Sequence, residues 1–299
     1  MIKITNAEIL SLNIPPEQCV SWVRDSFCIK YEAQLPPKIS LHPQGNDFFN
    51  TMPCLLPPQY NRFGVKVVSR IAGNKPTLHS DLLLYEASTG QLLSFMEADW
   101  ITQMRTGAVA ALAIQTLQQP HSSVYAFVGL GSTAIATMRC LISILPQREI
   151  VCKLLRYKQQ AEQFIEKFSN YSHIHFEIVD THEALVEDSD VLVSAVTEMP
   201  ELFCTTVQTY KEGVLIVPIH TRGFQNCDLF FDHIFADDKG HVCGFKYFNQ
   251  FKQFHEISEV LLGKVPARVN NAERILAYNI GLGLHDVYFA HQIYELLKK

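Results

Sequence analysis

Four places in the chain carry residue types whose spacing could do chemistry. The run Gly129-Leu130-Gly131-Ser132-Thr133-Ala134 follows the apolar stretch 124–128 and opens a helical pattern. A G-x-G-x-x-A turn between strand and helix suits a dinucleotide diphosphate. Gly129 permits the tight turn, Gly131 lets backbone approach the phosphates, and Ala134 allows close packing of helix on strand. Ser132 and Thr133 begin the helix, where unpaired N–H groups and the positive dipole end face an anion. A glycine turn with no ligand would show the same letters.

The next strand ends Leu154-Leu155-Arg156-Tyr157-Lys158. A site selecting NAD usually places an acid there for the ribose hydroxyls. Two cations and no acid favour a 2′-phosphate, so NADP(H) is expected over NAD(H), although solvent-facing cations would read alike. Lys66 stands between Val65 and Val67 in a run otherwise suited to burial, either as an edge-strand charge turned to water or as a functional amine. Arg105 falls in the first turn of a helix that Thr102 can cap. The helix dipole disfavours a cation there unless an anion shares the place, and a plain surface position is the alternative.

The elements that must hold these groups divide by rhythm. From residue 123 onward strands and helices alternate (124–128, 132–144, 150–155, 159–168, 175–179, 183–187, 191–196, 214–219), which implies right-handed βαβ units and a parallel sheet covered on both faces. Before it come an amphipathic helix over 14–33 with Val20, Val23, Phe27 and Tyr31 on one face, a loop rich in Pro and His ending at Met52-Pro53, a strand over 63–69, and a hairpin over 81–95 turning at Ser88-Thr89-Gly90. The tail 271–299 reads as helical, with Ile280, Leu284, Val287 and Ile293 on one face. The domains expected are 1–118 plus 271–299, and 119–270.

The 299 residues allow about two domains. A formal charge of −5 gives no electrostatic reason to expect nucleic acid or an anionic membrane as partner. The N-terminus lacks a signal-peptide pattern, and no apolar run approaches the roughly 18 residues of a transmembrane helix. Eight scattered cysteines without a C-x-x-C pair suit free thiols in a reducing cytoplasm. His241 and Cys243 are two ligands without a third, so no metal is expected.

In this order and spacing, FGVKVVS, Asn74, STGQLL, ITQMRTGAVAALA and VGLGSTA resemble the ornithine cyclodeaminase and mu-crystallin family. PPKISLH with Met52-Pro53, the stretch 190–196 and GLGLHDVYFAHQIYE extend the resemblance over nearly the whole chain. It implies an α/β protein in which a Rossmann NAD(P)-binding domain is inserted into an α+β substrate-binding and dimerisation domain, assembled as a homodimer. It makes Lys66 the catalytic lysine and Arg105 a substrate-carboxylate ligand. Lys38 stands where an arginine is usual, and it can hold a carboxylate only as a point charge. Thr106, Ile219 and His220 become cofactor positions beside the glycine loop and Arg156, as does Val196, which replaces a usual threonine near the nicotinamide ribose.

The activity so implied is NAD(P)-dependent oxidoreduction at the C–N bond of a small amino or imino acid, with Lys66 relaying the proton. Lys38 and Arg105 would push the Lys66 pKa down. One departure bears on the reaction. Arg222, in HTRGFQNCDL, occupies the position where ornithine cyclodeaminases have an aspartate for the second amino group. Arginine suits an additional substrate carboxylate instead, or it pairs with Asp228 or a cofactor phosphate. Ornithine cyclodeamination, with Asp228 replacing the missing acid, is the first alternative. A crystallin-like protein that binds NADP(H) and a ligand without turnover is the second.

Overall fold

The computed structural model describes residues 1–145, 147–197, 199–220 and 222–298. The chain divides into two compact units, Met1–Arg105 with Gly281–Lys299, and Thr106–Ile280. This division falls at 105/106 and 280/281, nearer the chain ends than the expected 118/119 and 270/271, and Lys299 lies outside the described residues.

The first unit is built on a six-stranded mixed sheet. Its strands are β1 (Ile2–Ile4), β2 (Ile39–Leu41), β3 (Phe48–Leu55), β4 (Arg62–Arg70), β5 (Leu78–Glu86) and β6 (Leu92–Glu97), in the order β1-β6-β5-β4-β3-β2. Strands β2 to β6 pair antiparallel, and β1 closes the far edge parallel to β6. The alternation of a pleated strand separates two faces. On one, Met52, Lys66, Leu82 and Met96 follow one another across four strands, all buried beneath helices. Helix α1 (Asn6–Ser11) follows β1, α2 (Pro16–Cys28) packs on the C-terminal helix Gly283–Leu297, and that helix lies against β3, β4 and β5. Trp22 of α2 meets Phe289 of the C-terminal helix edge to face at 5.1 Å, and Ser26 bonds His285 at 2.7 Å. On the other face, Pro53, Val65, Leu83 and Phe95 align across the same strands and stay partly exposed.

Several local expectations shift here. The Pro- and His-rich loop contains β2 and most of β3, because sheet pairing overrides its weak propensity. The first long helix stops at Cys28; a 3-10 turn follows at Lys30–Glu32, and Tyr31 is 53% exposed rather than on the buried face. Helix α3 (Asp99–Leu117) starts before Thr102, whose hydroxyl donates to Ser80 Oγ instead of capping. Ser80 N–H donates to the Asp99 carboxylate and Ala98 N–H donates to the Ser80 carbonyl, which anchors the helix start to β5.

The second unit carries an eight-stranded, wholly parallel sheet. After α3 come β7 (Val124–Val128), α4 (Ser132–Ile144), β8 (Ile150–Leu155), α5 (Gln160–Phe168), β9 (Ile174–Val179), α6 (His182–Val186), β10 (Val191–Ser194), β11 (Leu215–Pro218), β12 (His233–Ala236), β13 (Phe254–Glu256) and β14 (Ile275–Tyr278), with short helical turns between the later strands. The order β13-β12-β14-β11-β10-β7-β8-β9 is that of a Rossmann-like sheet. Every residue of β10, β11, β12 and β14 is buried, as two covered faces demand. The tail is therefore not helical throughout. Its apolar start, 275–278, is β14, inserted between β11 and β12, and only then does the C-terminal helix begin. Among the described residues no helix is long and apolar enough to cross a membrane.

Candidate functional site

Lys66 is on an inner strand and wholly buried, so the edge-strand reading does not apply. Its Nζ donates to Asp286 Oδ1 at 2.7 Å. Arg105, only 6% exposed, donates from Nε to the same oxygen at 2.8 Å. Because α3 begins at Asp99, Arg105 sits well past the first turn, and the anion it answers is Asp286 rather than one at the helix end. Gly281 makes room for it. Its φ is +96°, a backbone conformation that favours glycine, and a Cβ there would lie 2.5 Å from Arg105 Nη1, so a side chain would also displace the end of the guanidinium.

Burial pushes the Lys66 amine down to about 7, helped by Arg105 and more weakly by Lys38, while Asp286 opposes them. The expected crowding of cations is present, with burial the larger cause. Lys38 is half-buried, in the segment leading to β2. The same burial holds the neighbouring Cys54 thiol up to about 12, with the Asp286 charge adding to it, so that thiol stays protonated. The cluster of Lys66, Arg105 and Asp286 is thus a buried site in which an amine near its titration point lies beside a guanidinium.

Sequence reasoning missed Asp286. Its signal was available: the first two turns of the C-terminal helix, Gly283 to Ala290, are all buried, and His285 and Asp286 interrupt an otherwise apolar or aromatic stretch. Polar groups at such positions need partners. His285 finds Ser26, whose hydroxyl donates to the Val23 carbonyl, so the proton between them comes from His285 Nδ1. Asp286 finds the two cations through Oδ1, while its Oδ2 is buried with no hydrogen-bond partner among the described residues.

In the second unit the chain leaves β7 for β8 and β9 on one side, then returns to β10 on the other. That reversal is where an open α/β sheet binds its ligand, beyond the strand ends. Gly129 lies there with φ +78°, and a Cβ on it would come within 2.6 Å of the Ala195 backbone. At Gly131 a Cβ would point into open space, and this glycine precedes α4 with no side chain capping the helix. An uncapped N-terminus beside a backbone free of side-chain bulk fits a diphosphate. Ser132 is exposed, Thr133 half-buried and Ala134 buried within α4.

Val196, half-buried, follows β10 beside Gly129. Ile219 N–H donates to the Ser194 carbonyl at 2.8 Å. His220 accepts Arg222 N–H at Nδ1 (3.3 Å), which leaves its proton on Nε2 to donate to Ser194 Oγ at 2.7 Å. Burial pushes His220 down to about 4, so it is neutral near pH 7. Ser194 is a second polar group that sequence reasoning missed, hidden at the end of an apolar strand. Thr106 is half-buried in α3, the first residue of this unit.

Arg156, at the end of β8, donates to Asp180 at 2.7 Å and Glu162 at 2.8 Å, and all three side chains are substantially exposed. The Arg222 side chain is exposed. Asp228 is buried, accepts the Tyr278 hydroxyl at 2.9 Å and is pushed up to about 7 by burial.

Alanine dehydrogenase of Archaeoglobus fulgidus is 26% identical over 315 residues, covering 98% of this chain and 94% of the relative. The structure of Thermococcus litoralis Δ1-pyrroline-2-carboxylate reductase with NADH and L-proline superposes with a TM-score of 0.86 at 22% identity, covering 99% and 97% of the two chains. An archaeal alanine dehydrogenase dimer with bound NAD superposes with a TM-score of 0.84 at 24% identity, covering 100% and 97%. Residues 5–299 match the sequence pattern of one family throughout, and the chain belongs to the ornithine cyclodeaminase/mu-crystallin family.

Proposed function

We propose that this protein is an NAD(P)H-dependent oxidoreductase acting at the C–N bond of a small α-amino or α-imino acid, in the manner of an imine reductase or amino-acid dehydrogenase. The observation that carries the reading is the buried Lys66 amine, held near neutrality beside Arg105. A nicotinamide coenzyme, when bound, supplies or accepts the hydride. Lys66 supplies the proton that an imine nitrogen needs on reduction and takes it back on oxidation, a contribution typically worth about a hundred- to ten-thousand-fold. Arg105 holds the substrate carboxylate, Lys38 adds a second positive charge, and Arg222 is assigned to a further anionic group of the substrate. The names of the alanine dehydrogenase and pyrroline-carboxylate reductase relatives support this class.

Thr106, Gly129, Gly131, Ser132, Thr133, Ala134, Val196, Ile219 and His220 form the proposed coenzyme site. Arg156 favours the phosphorylated coenzyme. Its pairs with Asp180 and Glu162 are exposed and worth little, so a 2′-phosphate can replace them. We further assign the protein as a homodimer, joined over the partly exposed apolar sheet face of Pro53, Val65, Leu83 and Phe95, since a contiguous apolar face open to solvent is ordinarily an interface. The archaeal relative described as a dimer supports this.

Cyclodeamination is disfavoured because Asp228, the acid it would need, is committed to Tyr278 in the core. The test is to follow NADPH and NADH absorbance with cyclic α-imino acids, α-keto acids plus ammonia, and free L-amino acids. Coenzyme-linked turnover that Lys66→Met abolishes is expected. Proline formation from ornithine without net coenzyme change would establish the cyclodeaminase instead. Tight nucleotide binding without turnover on any of these would establish the binding protein.

A further inference from the structure

The basic cluster has a feature that neither cation explains. Lys66 Nζ and Arg105 Nε do not each find their own acceptor; they converge on one oxygen of one carboxylate, Asp286 Oδ1, at 2.7 and 2.8 Å. Lys66 and Asp286 are wholly buried, so water cannot take over either bond. The three side chains come from β4, α3 and the C-terminal helix, and Asp286 joins them. We propose that Asp286 is the positioning residue of the cluster: by sharing Oδ1 it fixes the separation and direction of the Lys66 amine and the Arg105 guanidinium, and balances the charge of the amine while it carries a proton.

Among the described residues, the charged and titratable groups around Lys66 are few. Arg105 faces it from α3 and Lys38 from the segment before β2, and both disfavour a proton on the amine. Asp286 faces it from the C-terminal helix and favours that proton. Cys54 on β3 stays a neutral thiol, and His285 is turned to Ser26. Its register neighbours Met52 and Leu82, and Met96 one strand further on, are apolar. Burial and two cations all oppose protonation, so the one carboxylate keeps the amine titrating near neutrality. Without Asp286 the amine would be neutral throughout the working range and would have no proton to give.

The inference deepens the proposed reaction, and its test has a part that needs no turnover. Protein labelled with ¹³C at lysine Cε is titrated from pH 5 to 11, and the Lys66 resonance is recognised by its absence in Lys66→Met. Asp286→Asn, which keeps shape and removes charge, should lower the Lys66 midpoint by at least about one unit. Asp286→Glu should keep it near the wild-type value, and serves as the reporter should Asp286→Asn fail to fold. In turnover, Asp286→Asn should move the limb governed by Lys66 to lower pH, reduce kcat at least about tenfold and raise KM for the amino or imino acid. Asp286→Glu should reduce kcat with the limb in place, because the charge remains but the amine is displaced. A midpoint and limb unmoved in Asp286→Asn, or moved as far in Asp286→Glu as in a variant lacking the charge, overturns the assignment and leaves Asp286 a packing residue. If the midpoint moves as stated while no substrate of the proposed class is turned over, Asp286 keeps its role and the reaction assignment falls.

Discussion

Lys66 and Asp286 are 220 positions apart in the sequence, and their side chains meet at 2.7 Å with no exposed surface on either. The Lys66 amine titrates at about 7 in the folded chain against 10.5 when unperturbed. If Lys66 is the proton carrier, the two directions of the reaction respond oppositely to pH. Reduction needs the protonated amine and should fall as pH rises through about 7, while oxidation needs the neutral amine and should rise over the same range. Initial rates in both directions across pH 5.5 to about 9 check this, and coincident profiles would remove Lys66 from the role.

The same shift has a consequence for stability. Between about 7 and 10.5 the unfolded chain holds a proton on Lys66 that the folded chain has released, so this residue makes stability rise with pH in that window. Its contribution is fully present above 10.5 and is lost as pH falls to about 7. Denaturant unfolding of the wild type and Lys66→Met at pH 7, 8.5 and 10 should show a slope in the former that is shallower in the latter.

Gly281 is set against Arg105 so closely that Gly281→Ala would force a Cβ to within 2.5 Å of the guanidinium, on a backbone at φ +96°. A cost of about 1–3 kcal/mol in stability is expected. KM for the amino or imino acid should rise more than kcat falls. Arg105→Lys should also raise KM, because a point charge cannot reproduce the guanidinium fork. Steady-state kinetics with a thermal melt separates the two effects, and an unchanged KM in both variants would count against Arg105 as the carboxylate ligand.

Arg156 makes a simple prediction for coenzyme choice. Arg156→Ala should raise KM for NADPH by about tenfold, the worth of one charge-assisted contact, and leave KM for NADH nearly unchanged. Equal changes for both coenzymes would mean that Arg156 serves only Asp180 and Glu162.

Val65 and Leu83 occupy the centre of the partly exposed sheet face, directly opposite each other on β4 and β5. Val65→Glu should convert a dimer to a monomer, read as a halved mass in light scattering coupled to size exclusion. A wild type that is already monomeric would end the dimer assignment.

Much of the second unit was legible in the chain itself. Apolar runs of strand length alternating with helical ones specify a parallel sheet, and the glycine run 129–131 after β7 marks the turn at its switch point, because these signals are local and repeat with the period of the element that they form. The strand that carries Lys66 was legible for the same reason. Its burial was not, since a lysine between valines is compatible with an edge or an inner strand, and only the sheet order placed β4 inside.

Local pattern also misread the start of α3, because the residue that fixes it, Ser80, lies on another strand. It misread the stretch 271–282 as helical, because β14 is held by β11 and β12, to which it pairs only after the chain has folded back. Asp286 is the clearest case. The sequence by itself determined which cations are present, Lys38, Lys66 and Arg105, and the kind of fold that carries them. The tertiary structure alone decided that one buried carboxylate, supplied from the far end of the chain, would bind two of them through a single oxygen. The choice of an ion's partner depends on burial and distance, and neither is a property of neighbouring letters.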